Sequence, residues 1–225
     1  MPVKKILEEE LHLSALPKAT WKAFLFISKM PMLQTGGWYL AGGTALALQA
    51  GHRSSVDLDF FTTKAAFDEV AVERELFASK AWETTYREKG TIYGKLLGAK
   101  VSLIAYPFFK PSKNMRGFGT IKILLPQDVA SMKIVAISQR GRKRDFVDLY
   151  WYCINREPLK IVLDRAIVQY PGQEKNMPHF LKSLTYFTDA EEDAMPNLNF
   201  SVTWKEVTSY FKREVPKLAR SLGIG

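Results

Sequence analysis

A single cysteine, Cys153, and three histidines are all the thiol and imidazole groups that this chain of 225 residues offers. One thiol cannot close an internal disulfide, and no cysteine/histidine cluster has the spacing of a zinc site. Cys153 is therefore expected to pack in a core, the common fate of a free cysteine. No run of about 18 apolar residues occurs, so no membrane-spanning helix is expected. The opening residues MPVKKILEEELHL carry charges where a signal peptide needs an apolar stretch, and a cytoplasmic location with no membrane partner is the expectation. Internal repeats and low-complexity tracts are lacking as well, so the chain reads as globular throughout.

The residues present suit such a globule. At 47% hydrophobic and 24% charged, the composition can fill one large core or two modest ones. The net charge of +9 and a pI near 9.5 give a surface that attracts phosphates and polynucleotides at long range. Charge by itself does not name a ligand, and the motifs must do that.

Periodicity places the elements. Residues 3–33 read as two helices broken near Pro17, with Ile6, Leu11 and Leu13 on one and Trp21, Phe24, Leu25 and Ile27 on the other. WYLAGG predicts a short strand ending in a glycine turn, TALALQAG a helix with Thr44 as its N-cap, and SVDLDFF a second strand. A helix follows over 65–80. Between Trp82 and Phe109 the pattern turns to strands, with a turn at Lys89-Gly90 and Pro107 closing the run. KPSKNMRGFG reads as a mobile loop and TIKILLP as one more strand. Pro126 suits the first turn of a helix running to Arg140, and Gly141 separates it from a helix over 142–155. Further helices are expected near 158–170, 174–187 and 203–222, with the acidic run TDAEEDAMPNLN as a solvated turn. The fold class is α/β (α+β), a mixed sheet flanked by helices: residues 1–34 as packing helices, 35–125 as the α/β core, and 126–225 as a helical C-terminal domain.

One stretch resists a purely structural account. In YLAGGTALALQAGHRSSVDLDFF, Asp57 and Asp59 lie in a segment that otherwise reads as buried strand. Alternation puts both carboxylates on one face, roughly 7 Å apart, with Val56, Leu58 and Phe60 on the other. Such a pair repels unless a cation relieves it, and a hard divalent ion such as Mg2+ does so while keeping positions for water or phosphate oxygens. The Gly42-Gly43 turn lets the backbone approach a ligand closely, and the amides and dipole of the helix that follows suit a phosphate, with the Thr44 hydroxyl nearby. Arg53 and Ser54, just ahead of the aspartates, are within reach of the same phosphates. His52 reads as a solvated loop residue. The aromatic runs YPFF and DLYWYC could stack on bases, but their spacing suits core packing.

AGGTALALQ followed by HRSSVDLDFF resembles the Gly-Gly and Asp-x-Asp signature of the nucleotidyltransferase superfamily that includes DNA polymerase β. In detail it is similar to the AbiEii/AbiGii toxin family, and MKIVAISQRGRKRDFVDLYWY resembles that family's later lysine and Arg-Asp motif. The resemblance covers residues 35–155. It implies a Mg2+-dependent enzyme that transfers a nucleoside monophosphate from an NTP to an acceptor hydroxyl, with RNA such as a tRNA 3′ end as acceptor and an antitoxin protein as partner. It assigns metal to Asp57 and Asp59, the triphosphate to Gly42, Gly43, Thr44 and Lys133, and an acid of the catalytic machinery to Asp145. A protein or small-molecule acceptor, and a metal-dependent nuclease, are the alternatives that keep the same aspartates.

The later motif also has a plain physical reading. Lys133, Ile137 and Arg140 share one stripe of their helix, while Asp145 and Asp148 share a face of the next. Arg140, Lys143 and Arg144 could pair with those aspartates across a helical hairpin, Arg144 with Asp148 above all. One position departs from the resemblance: the third carboxylate of polymerase-type transferases, on a neighbouring strand, is here Ser102. A serine cannot supply that charge, which keeps a non-catalytic nucleotide- or RNA-binding module among the alternatives.

Overall fold

The computed structural model describes residues 3–5 and 10–224. The chain divides into two compact units, Met1–Leu125 and Pro126–Gly225.

The first unit is built on an eight-stranded mixed sheet, counted among the described residues, in the order β1-β7-β8-β2-β3-β6-β5-β4. Its strands are β1 (Val3–Lys5), β2 (Tyr39–Leu40), β3 (Leu58–Thr62), β4 (Trp82–Glu88), β5 (Thr91–Leu96), β6 (Ala99–Ala105), β7 (Met115–Phe118) and β8 (Ile121–Ile123). The pairs β1/β7, β2/β8 and β3/β6 are parallel, and the remaining neighbours are antiparallel. Helices α1 (Lys18–Ile27), α2 (Met32–Thr35), α3 (Gly42–Ala50) and α4 (Glu69–Ala78) complete the unit.

Two expectations fail here. The first of the two helices predicted over 3–33, ahead of the break near Pro17, is not formed by the described residues: Val3–Lys5 is a strand beside β7, residues 13–15 make one 3-10 turn, and Ile6 lies outside the described residues. The open edge of β7 supplied a backbone partner that outweighed local helical spacing. By the same pairing, the second half of the predicted mobile loop, Met115–Phe118, is strand held between β1 and β8.

The strands alternate as a half-covered sheet should. Leu58, Phe60, Ile92, Leu96, Val101 and Leu103 are buried on one face. A two-residue turn at Leu97-Gly98, both with positive φ (52° and 84°), joins β5 to β6. That combination defines the hairpin turn whose twist matches its strands. At Gly94 on β5 a Cβ would lie 2.3 Å from the Trp82 ring and 2.5 Å from the Glu83 carbonyl oxygen, so only glycine lets Trp82 fold across its neighbour strand.

The second unit is helical: α5 (Pro126–Arg140), α6 (Lys143–Asn155), α7 (Leu159–Gln169), α8 (Met177–Ser183), α9 (Thr188–Glu191) and α10 (Trp204–Ser221). The acidic run expected as a turn thus begins with a short helix. Phe146 packs against Phe187, Trp204 and Phe211 at centroid distances of 5.2, 5.8 and 5.5 Å. The α10 terminus carries a capping box: the Thr203 hydroxyl accepts from the Glu206 amide, and the Glu206 carboxylate accepts from the Thr203 amide. Cys153 is buried, as expected, and burial pushes its thiol up to about 12.

Gly94→Ala should lower the stability of the first unit by about 1–3 kcal/mol, the usual range for overpacking. Urea denaturation followed by far-UV circular dichroism measures it; an unchanged midpoint would show that Trp82 yields without cost.

Candidate active site

The glycine turn and the aspartate strand come together in the first unit. Strand β2 delivers Ala41, the N-cap of α3, whose amide donates to the Asp59 carbonyl at 3.0 Å. The next residue, Gly42, has φ +66°, and a Cβ there would lie 3.1 Å from Asp59 Oδ2. The bend therefore rests on the Asp59 carboxylate, and a side chain would both strain the backbone and crowd that oxygen. At Gly43 a Cβ would fall 2.1 Å from Arg53 Nη2 and 3.4 Å from Ser55 Oγ. The buried Arg53 guanidinium thus lies over the second glycine, with Nη1 donating to the Ser54 carbonyl at 2.8 Å. First-turn amides of a helix have no intrahelical acceptor and point a positive dipole end outward.

Asp57 immediately precedes β3 and Asp59 lies within it; both are half-buried and alternate with the fully buried Leu58 and Phe60. They share the less covered face. Val56 does not join the buried residues as alternation suggested: it precedes the strand and is 51% exposed. Ser102 is the register partner of Asp59 on parallel strand β6, so the two side chains leave the same face of the sheet from neighbouring strands.

Three expectations about this loop change. Thr44 is not the N-cap, because the glycines themselves start the helix. Its buried hydroxyl donates to the Asp57 carbonyl and lies 2.8 Å from Ser55 Oγ, which ties α3 to the loop before β3. His52 is buried, not solvated. Residues ahead of the motif, which sequence reasoning left out, hold the loop: the Ser55 amide donates to Ala15 O at 2.9 Å and the Thr20 hydroxyl to Val56 O at 3.0 Å. Nothing in the sequence signals these tethers, since Ala15 contributes only its carbonyl.

No group of three or more histidine, cysteine, aspartate or glutamate side chains suited to a metal exists among the described residues. The donor set for an ion is the pair Asp57 and Asp59. Mg2+ is commonly bound through one or two carboxylates and completes its shell with water and phosphate oxygens, so the pair fits that ion.

In the second unit, Lys133 of α5 faces α6. Its Nζ lies 2.6 Å from Asp145 Oδ1 and 2.7 Å from Asp148 Oδ2, and all three side chains are buried. Arg140, one helical stripe along, donates through Nε to Asp145 Oδ2 at 3.0 Å. Of the cations expected to pair across the hairpin, Arg140 reaches Asp145, whereas Lys143 donates to the Glu191 carbonyl and covers the Trp204 ring; the buried cation between the two aspartates is Lys133, which that expectation left out. Burial pushes the Asp145 carboxyl up, but Lys133 and Arg140 outweigh it and hold it below the usual carboxylate range.

Stability contributed by that lowered carboxyl is fully present above the unfolded pKa of aspartate and is lost as pH falls through the folded one. Thermal melts should show the second unit weakening only in acid. Lys133→Met leaves two buried carboxylates without their main cation and should cost about 3–5 kcal/mol; a melting temperature like that of the unaltered chain would dismiss the cluster as a stabilising element.

The sequence matches the family model described as "Nucleotidyl transferase AbiEii toxin, Type IV TA system" over residues 32–93 and 100–221. It is 35% identical over 181 residues, 79% of this chain and 86% of the other, to the uncharacterized protein aq_aa25 of Aquifex aeolicus (strain VF5). Two solved structures share the fold at 14% identity. A candidate nucleotidyltransferase from H. pylori has a TM-score of 0.53 and covers 97% of this chain and 98% of its own. MenT4, a nucleotidyltransferase toxin from Mycobacterium tuberculosis, has a TM-score of 0.53 and covers 91% of this chain and 87% of its own. With a glycine turn seated on an aspartate pair and a match spanning most of its length, the chain belongs to the AbiEii family of nucleotidyltransferase toxins.

Proposed function

We propose that this nucleotidyltransferase toxin transfers a nucleoside monophosphate from an NTP to an acceptor hydroxyl on RNA, a tRNA 3′ end being the acceptor that the family resemblance favours. The observation that carries the reading is the seat of Gly42 against Asp59 Oδ2, which sets an anion-binding bend beside the carboxylate pair. In the reaction the acceptor oxygen forms a bond to the α-phosphorus while the bond to the bridging oxygen of the leaving pyrophosphate breaks.

Each residue of the first unit has a definable part. The α3 first-turn amides, offered by Gly42 and Gly43, take phosphate oxygens. Arg53, already lying over Gly43, adds positive charge, with Ser54 at its side; Thr44 fixes the bend through the Asp57 carbonyl. Asp57 and Asp59 would hold Mg2+, which when bound neutralises charge developing on the transferred phosphoryl group. The resemblance also assigns Lys133 and Asp145 a part in the chemistry; within the second unit the two are buried and paired with each other. The family also suggests a cognate antitoxin as protein partner. No helix among the described residues is long and apolar enough to cross a membrane, and we place the enzyme in the cytoplasm with its RNA.

A second reading rests on the register of Ser102 beside Asp59. An alcohol there is no base at neutral pH, so the same face would serve a module that binds nucleotide without turning it over.

Incubation with α-labelled NTP, Mg2+ and total RNA separates the two. Transfer of label with release of pyrophosphate is expected, and Asp57→Asn or Asp59→Asn should cut the rate by roughly a hundredfold or more, since a bound divalent ion is worth several kcal/mol in such a transition state. A thermal upshift by NTP and Mg2+ without any pyrophosphate would leave the binding module standing and remove the transferase.

A further inference from the structure

The sheet face that carries Asp59 continues toward the β4 edge, passing from the half-buried Asp59 and Ser102 to the exposed Tyr93 and Tyr86. Asp59 of β3 is the register partner of Ser102 on β6, Ser102 of Tyr93 on β5, and Tyr93 of Tyr86 on β4. These four side chains therefore form one cross-strand row, which runs roughly 10 Å from Asp59 to Tyr93 and roughly 14 Å to Tyr86 at the usual strand spacing. Their neighbours along the strands, Leu58, Phe60, Val101, Leu103 and Ile92, are buried on the opposite face.

Tyr86 and Tyr93 are 46% and 40% exposed. Their rings stack with centroids 5.6 Å apart and planes 27° from parallel. One step along the same face, Lys95 and Lys100 are register partners. Like charges directly opposite each other destabilise a sheet, and the 3.9 Å approach of Lys95 to the exposed Glu83 is a weak compensation. The other acid at the β4 end of this face, Glu88, is the hydrogen-bonding partner that raises the Tyr86 hydroxyl pKa. Packing of the fold needs neither an open aromatic pair nor two adjacent ammonium groups. Their combination suits unpaired bases, which stack on aromatic rings whatever their identity, joined by phosphates that pair with lysine.

We propose that Tyr86 and Tyr93 form a stacking platform for an unpaired polynucleotide end, with Lys95 and Lys100 on its phosphates, and that the row leads the terminal hydroxyl toward Asp59. The proposal deepens the transferase reading and rests on it for the purpose of the platform, while the binding itself stands apart from catalysis.

Fluorescence anisotropy with a short labelled single-stranded RNA, the same sequence as single-stranded DNA, and the RNA as duplex tests it on the full chain. The unaltered protein should bind the single strands more tightly than the duplex, with affinity falling as salt rises. Tyr86→Leu combined with Tyr93→Leu should weaken single-strand binding at least about fivefold, the low end for one lost base stack, and Lys95→Gln with Lys100→Gln should flatten the salt dependence. Tyr93→Phe keeps the stack and should bind as the unaltered chain does, which separates loss of the ring from loss of its hydroxyl. Absence of single-strand binding, equal affinity for duplex, or leucine variants that bind within about twofold of the unaltered protein would each overturn the platform. The NTP-induced thermal upshift should survive in every tyrosine variant. Strand binding through the tyrosines without any label transfer would retain the platform and discard the transferase reading; label transfer that ignores the tyrosines would do the reverse.

Discussion

A carboxylate pressed against a glycine bend is the constraint from which the first unit's organisation follows. Glycine suits position 42 because its φ is positive, where a side chain is strained, and because a Cβ would crowd Asp59 Oδ2 at 3.1 Å. The Ala41 amide, bonded to the Asp59 carbonyl, locks the same two segments from the backbone side. Once β2 and β3 are joined this way, α3 must start beside the carboxylate, its amide end turned to whatever the carboxylate attracts. Arg53 over Gly43 and Thr44 on the Asp57 carbonyl then close the loop from both sides.

The chain handles its two pairs of aspartates in opposite ways. Asp145 and Asp148 are wholly buried, and Lys133 and Arg140 supply the opposite charge at hydrogen-bonding distance. Burial of that kind is tolerable only with such compensation, and it fixes α5 against α6. Asp57 and Asp59 keep part of their surface in solvent, where a mobile ion can come and go. Composition alone makes the two pairs look alike; the difference lies in how much water each retains.

Much of this was legible in the residues. The glycine turn, the Asp-x-Asp strand, the shared face of Asp145 and Asp148, and most helices follow from spacing, and the mixed α/β class follows from their order; that Lys133 is the buried cation between those aspartates does not. What escaped notice was set by distant partners. Val3–Lys5 became a strand because β7 offers an edge, and Met115–Phe118 did so for the same reason. Thr44 lost the N-cap because a glycine with positive φ could start the helix three residues sooner. His52 is buried because residues remote in sequence cover its loop, which no local pattern encodes. The adjacency of Ser102 to Asp59 was foreseen, but the row extending it to Tyr93 and Tyr86 needed the register of three strand pairs.

The family match begins at residue 32, yet the loop bearing Arg53 and Asp57 is moored to residues before it. His12 donates its amide to Leu48 O at 2.8 Å, Ala15 accepts from Ser55, and Thr20 donates to Val56. The leading segment is thus the outer wall of the motif rather than an appendage to it. A shortened protein cut to the recognisable region would keep every signature residue and still lose the clamps that hold them in register.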